Sequence, residues 1–183
     1  VDLVLHAGDL TTAGVLRELE RVAPVVAVQG NHDRRAGLDL PRRAVVRVGG
    51  VRVGLVHGDL PRPLETCWAV AGVAAGRPVT PGLVRAVARR AGPVDCAVFG
   101  HHHLPVLARA GRTLVFSPGA AYTVEADPGY VPAGLRGRLY ARYRARIPEG
   151  AARPAVGILE IRDGVVRPRI VPVEGPLRPG GGR

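Results

Sequence analysis

Short apolar runs separated by polar turns set the layout of this chain. Residues 1–5, an apolar run broken only by Asp2, lead into His6-Ala7-Gly8-Asp9, which places Asp9 just past the carboxyl end of a buried strand. Val15, Leu16, Leu19 and Val22 then recur at helical spacing, with Thr11 or Thr12 as the cap and Pro24 as the stop. Residues 25–28 form a second buried strand that runs straight into Gly30-Asn31-His32-Asp33. Strand, helix and strand with a short return make a βαβ unit, so the two strands are expected to be parallel neighbours. Asp9 and Asn31 then emerge at one sheet edge, where open α/β sheets place their ligand sites.

Further along, residues 45–48 and 51–56 flank Gly49-Gly50 as a hairpin, and its second strand ends at His57-Gly58-Asp59. Residues 60–78 read as loop at both ends, with a short apolar middle around Trp68. Thr80-Pro81 opens a helix carried by Leu83, Val84, Val87 and Ala88, with Thr80 as cap and Pro81 at its first position. Gly92-Pro93 stops it. The apolar strand Cys96-Ala97-Val98-Phe99 follows and ends in Gly100-His101-His102-His103. Two more hairpins are expected, 106–109 with 113–116, and 155–161 with 165–173 on an Asp163-Gly164 turn. Between them lies an arginine-rich insertion at about 121–154. Within it Leu135, Leu139, Tyr143 and Ile147 recur every four residues, the spacing of a short basic amphipathic helix. Residues 1–175 read as one domain and residues 176–183 as a disordered tail.

Composition narrows the setting. Apolar residues make up 46% of the 183 and charged residues 22%, an ordinary globular balance. No apolar run approaches the roughly 20 residues of a membrane-spanning helix. Cys67 and Cys96 do not make a disulfide framework and read as buried reduced thiols of a cytoplasmic protein. The net charge of +11 is carried by arginine and favours anionic partners such as phosphorylated substrates, nucleic acid or acidic proteins.

The strand ends deliver Asp9, Asn31, His57, His101 and His103. Residues two apart in an extended backbone point the same way, so His101 and His103 are expected to face one site. A carboxylate, an amide oxygen and imidazoles form a mixed set suited to Mn²⁺, Fe or Zn²⁺. Two such cations, roughly 3.5–4 Å apart, can clamp the attacking and leaving oxygens of a phosphoryl displacement. His32 can protonate a leaving alkoxide with Asp33 holding its ring, and Arg34 is placed to meet a phosphate. Each of these residues also has an ordinary use: a turn aspartate, a core histidine, a histidine-rich surface loop. The ordered set is what favours the metal. For the run of arginines at 136–146, with Tyr140 and Tyr143 interleaved, a solvated face competes with a nucleic-acid surface.

Gly8-Asp9, Gly30-Asn31-His32-Asp33, His57-Gly58 and Gly100-His101-His102-His103, in this order, resemble the calcineurin-like metallophosphoesterases. The similarity is closest to the small bacterial and archaeal phosphodiesterase branch, whose Asn-Pro-Gly-Ser segment Ser117-Pro118-Gly119-Ala120 resembles. The resemblance implies an α/β fold, a two-sheet β-sandwich flanked by helices, with a dinuclear site at the strand ends. It implies Asp9 as bridging ligand, with Asn31, His57 and His101 on one ion and His103 on the second. His32 then contacts the phosphate as general acid, and water or hydroxide between the metals is the nucleophile. Two divalent ions are implied, Mn²⁺ first, with Fe, Zn²⁺, Ni²⁺ or Mg²⁺ as alternatives. Substrates are phosphorylated small molecules or nucleotides, cyclic or linear.

Three features depart from the pattern. The family opens with a strand ending in Asp-x-His, whereas Val1 stands where the family's second strand begins, so an upstream strand is expected to be missing. His102 replaces the usual Thr, and the 121–154 segment is longer than that branch needs. Two other classes therefore compete. One is a non-catalytic scaffold, as the resembling retromer scaffold subunit is thought to be. The other is a nucleic-acid-binding protein.

Overall fold

A computed structural model describes residues 1–121 and 134–173. The expected βαβ unit is present. β1 (Val4–His6) and β2 (Val25–Ala27) pair in parallel, Val4 opposite Val25, with α1 (Ala13–Glu20) between them. Thr12 takes the capping position of α1 without a side-chain hydrogen bond. The short α2 (Asn31–Arg35) follows directly.

The centre of the molecule is a five-stranded sheet in the order β3-β4-β5-β7-β6. β3 (Arg43–Val48) and β4 (Val51–Val56) form the first hairpin, and β6 (Pro105–Ala110) and β7 (Thr113–Pro118) the second. β5 (Cys96–Phe99) lies parallel to both β4 and β7. Side-chain alternation divides the core into two layers. Val53, Leu55, Cys96 and Val98 face one way and pack with Leu5 and Val26 of the β1–β2 pair and with Leu159, Ile161 and Val166. Those last three belong to the hairpin of β8 (Ala155–Arg162) and β9 (Val165–Pro172). Val56, Ala97, Phe99 and Val115 face the other way, onto Trp68, Leu83 and Val87. The result is the expected β-sandwich flanked by helices, its second layer built from two small sheets.

Three local expectations are corrected. Residues 60–78 are not loop with an apolar middle: they contain α3 (Arg62–Ala75), the longest helix among the described residues. Pro63 lies in its first turn, where no intrahelical N–H is required. Gly76, at φ 66°, supplies the left-handed cap that ends it. α4 (Leu83–Ala91) starts later than expected, with Gly82 rather than Thr80 at its N-cap. Cys67 is exposed on α3, while Cys96 is buried; both are free.

The arginine-rich stretch does contain a helix, α5 (Gly134–Arg144), followed by the single turn α6 (Glu149–Ala152). Of the expected stripe, Tyr143 is the buried anchor and Leu139 and Ile147 are half-buried, while Leu135 is 78% exposed. A Cβ on Gly72 of α3 would lie 2.6 Å from the Tyr143 ring, so a residue without a side chain is what lets α5 dock there. The expected disordered tail lies outside the described residues, as does residues 122–133 of the insertion.

Candidate metal centre

The site is built at the carboxyl ends of β1, β2, β4 and β5. Asp33, on α2, is fully buried, and its carboxylate gathers the loops beneath the site. It accepts N–H bonds from Asp9 at 2.7 Å, Thr11 at 2.8 Å and Gly30 at 2.8 Å. Asp9 and Thr11 both sit at φ 63°, a left-handed backbone that costs non-glycine residues energy and is held here by those bonds. The carboxylate thus has a task beyond the one expected of it at the His32 ring: it ties together the loops that follow β1 and β2.

With its backbone fixed, the Asp9 carboxylate divides its oxygens. Oδ1 accepts the His32 backbone N–H at 2.8 Å, and Oδ2 lies 3.3 Å from His57 Nε2. Burial pushes the Asp9 carboxyl up, but its hydrogen bond to His57 and the charge there outweigh it and hold the pKa at about 2. His57, 3% exposed, is fixed by its other nitrogen: Nδ1 lies 2.6 Å from the Ala7 carbonyl oxygen. A carbonyl only accepts, so Nδ1 carries the proton, and in the neutral ring Nε2 presents its lone pair to the site.

Three further electron-pair donors surround that nitrogen. Besides Asp9 Oδ2 they are Asn31 Oδ1 at 3.1 Å and His101 Nδ1 at 3.1 Å. Asn31 is delivered by the first turn of α2, and His101 by the turn after β5, where its φ is 67°. The rings of His57 and His101 meet edge to face with centroids 4.9 Å apart. One proton on His57 can satisfy only one of these acceptors. The pKa of His57 shows the tension: burial lowers it, yet hydrogen bonding and charge from Asp9 raise it overall. Four donors bound at about 2.0–2.2 Å to a tetrahedral or octahedral ion stand roughly 3.0–3.5 Å apart. The three spacings from His57 Nε2 fall in that range, which suits Asp9, Asn31, His57 and His101 to a divalent cation. Asp9, His57 and His101 also form one of two groups among the described residues with metal-ligating spacing.

The other expected site residues are placed less simply. His103 stands outside that group. Burial, followed by the positive charge of Arg144, pushes its imidazole down to about 4, while Asp9 pulls the other way. His32 is half-buried at the start of α2. Arg34, expected to meet a phosphate, is bound to Asp59 at 2.7 Å. Arg90 also reaches Asp59, through its backbone oxygen and at 3.6 Å through its carboxylate. His102 is half-buried, its Nε2 3.2 Å from the Gly58 carbonyl oxygen and its ring beside Trp68.

Two residues near the site were not read from the sequence. Glu65, on α3, accepts a hydrogen bond from His101 Nε2 at 2.8 Å. Pro61, Pro63 and Gly76 give its segment the punctuation of a loop and mask the helix that carries it. Arg144 comes from the far end of the chain, and no local pattern ties it to His103.

Comparison with known proteins places this geometry. Residues 1–133 match the family model of the calcineurin-like phosphoesterase superfamily domain. A probable metallophosphoesterase of Methanothermobacter thermautotrophicus is 35% identical over 121 residues, covering 66% of this chain and 60% of the relative. A second, from Methanocaldococcus jannaschii, is 32% identical over 120 residues, covering 66% of this chain and 53% of the relative. The chain thus spans little more than half the length of these relatives. Among solved structures, a point mutant of Vps29 from Entamoeba histolytica aligns over 95% of this chain and 83% of its own, with TM-score 0.57 and 21% identity. Vps29 of the same organism in complex with Zn²⁺ aligns over 94% and 82%, with TM-score 0.54 and 21% identity. A structure described as a novel archaeal phosphodiesterase aligns over 93% and 84%, with TM-score 0.52 and 20% identity. Sequence and fold agree, and the chain belongs to the calcineurin-like phosphoesterase superfamily.

Proposed function

We propose that this protein is a metal-dependent phosphodiesterase acting on nucleotides or related phosphodiesters, cyclic or linear. The observation that carries the reading is the convergence of three lone-pair donors on His57 Nε2, all within 3.3 Å. Asp9, Asn31, His57 and His101 would hold the first divalent ion, and Asp9 with His103 would contribute to a second. The mixed oxygen and nitrogen donors suit Mn²⁺ first, with Fe, Zn²⁺, Ni²⁺ or Mg²⁺ as alternatives. When bound, such ions supply Lewis acidity toward a phosphoryl oxygen and a more acidic water.

The chain's own groups do the rest. His32, tied through its backbone to Asp9, is the donor of a proton to the departing alkoxide. Asp33 keeps Asp9, Thr11 and Gly30 in register. Arg144, whose charge acts on His103, meets the non-reacting phosphate charge, because Arg34 is engaged by Asp59. The two free cysteines support a cytoplasmic setting, and no helix among the described residues is long and apolar enough to cross a membrane.

Likeness to Vps29 supports a second reading, a protein-interaction scaffold on the same fold. The donor set does not separate the two, since Vps29 is also known in complex with Zn²⁺; the presence of His32, the expected general acid, favours the enzyme. A nucleic-acid surface on α5 is less favoured: Tyr143, one of its two aromatics, is buried against α3 and cannot stack on a base. The test of substrate class is hydrolysis of bis(p-nitrophenyl) phosphate against p-nitrophenyl phosphate, in Mn²⁺. The diester is expected to be the better substrate; a clear preference for the monoester would contradict the assignment.

A further inference from the structure

We propose that Glu65 is the positioning residue that fixes the tautomer and ring direction of His101, so that His101 presents a lone pair to the metal centre. The inference rests on the reading of Asp9, Asn31, His57 and His101 as that centre. His101 stands at φ 67° in a short turn, a backbone that alone does little to orient the ring. The side chain has to be held from outside, and the structure holds it at both ends. One nitrogen, Nδ1, faces His57 Nε2 at 3.1 Å; the other, Nε2, lies 2.8 Å from Glu65 Oε1. A carboxylate that accepts a hydrogen bond from one ring nitrogen puts the proton there and leaves the other free to ligate.

Glu65 is equipped for this. Its Oε1 also accepts the Leu60 backbone N–H at 2.8 Å, which fixes the carboxylate against the loop entering α3. It occupies the first turn of a 14-residue helix, where the helix dipole favours negative charge. His102 closes the third side, its ring meeting that of His101 edge to face with centroids 4.9 Å apart.

Glu65, His101 and His102 also have metal-ligating spacing, so a ligand role for Glu65 must be separated from a hydrogen-bonding role. Glutamine keeps an oxygen that accepts the hydrogen bond but removes the charge a carboxylate ligand would supply, and the His101→Ala background completes the separation, since a ligand role for Glu65 would persist without His101. Zn²⁺ affinity is measured by calorimetry on the wild type, Glu65→Gln, Glu65→Ala and Glu65→Ala in a His101→Ala background. Alongside, the His101 tautomer is read by long-range ¹H–¹⁵N correlation in the metal-free protein.

The proposal expects an Nε2-protonated His101 in the wild type and in Glu65→Gln, and a mixture of tautomers in Glu65→Ala. It expects Glu65→Ala to lose about 10–100-fold in Zn²⁺ affinity, with Glu65→Gln staying within a few-fold of wild type. Once His101 is alanine, Glu65→Ala should cost nothing further, whereas damage to the fold would persist. Equal affinity and an unchanged tautomer in Glu65→Ala would overturn the proposal, as would a Glu65→Gln loss as large as that of Glu65→Ala. A wild type that binds no Zn²⁺ would overturn the metal-centre reading and this proposal with it.

Discussion

His57 Nδ1 lies 2.6 Å from the Ala7 carbonyl oxygen, and that bond decides what the other side of the ring can do. With the proton committed to the β1 end, Nε2 is left to face Asp9, Asn31 and His101. Removing the ring therefore removes the centre of the donor set. His57→Ala is expected to lower Mn²⁺ affinity by more than about 100-fold, beyond the range typical of an outlying partner of a ligand. Calorimetric titration checks this; retention of wild-type affinity would show that the donors converge for another reason.

Asp33 should behave as a structural clamp. Its carboxylate holds three backbone N–H groups and is fully buried. Asp33→Ala leaves those donors without their acceptor and is expected to cost roughly 3–5 kcal/mol. Asn, which keeps one acceptor oxygen but turns an amide N–H₂ toward the donors, should cost somewhat less. Urea unfolding measures both. Lost activity with an unchanged midpoint would instead make Asp33 a direct participant in chemistry.

The metal-free protein should lose stability as pH falls from about 6.5 toward 4. Burial lowers both His102 and His103 to about 4, against 6.5 in the unfolded chain. Unfolding thus takes up protons in that window, so the stabilising contribution is present above 6.5 and is lost as pH drops. His57, raised on folding, works in the opposite direction; its contribution is full below 6.5 and fades as pH rises. The His102 part is isolated by comparison with His102→Gln, whose melting temperature should fall less steeply over the same range. Parallel curves for the two proteins would contradict it.

Arg144 should act on substrate and not on metal. Arg144→Ala is expected to raise KM for a phosphodiester roughly 10-fold or more, the scale of one charge-assisted hydrogen bond, with Mn²⁺ affinity unchanged. An equal loss in Arg34→Ala would restore the phosphate role to Arg34, which the structure instead finds bound to Asp59.

The sequence made some layers of this structure legible and hid others, for physical reasons. Strands were readable because alternation and glycine turns are local signals, and the parallel pairing of β1 with β2 followed from one helical crossover. Asp9, Asn31, His57 and His101 were readable because each ends an apolar run, and strand ends in such sheets share an edge. α3 was hidden by Pro61, Pro63 and Gly76, which punctuate a loop as readily as they start and stop a helix. Glu65 was lost with it. The task of Asp33 was hidden because its partners are backbone N–H groups, which no residue identity announces. On α5 the four-residue repeat marked the buried Tyr143 but also the exposed Leu135, because a glycine on another helix decides where the Tyr143 ring fits.

The central claim is that the donors around His57 hold a catalytic divalent cation. Its most direct test is hydrolysis of bis(p-nitrophenyl) phosphate by chelator-treated protein during titration with Mn²⁺, alongside His101→Ala. The account predicts no turnover without metal, saturable restoration by Mn²⁺ in the wild type, and none in the variant at the same metal concentrations. Turnover that survives chelation, or that His101→Ala recovers fully, would contradict it.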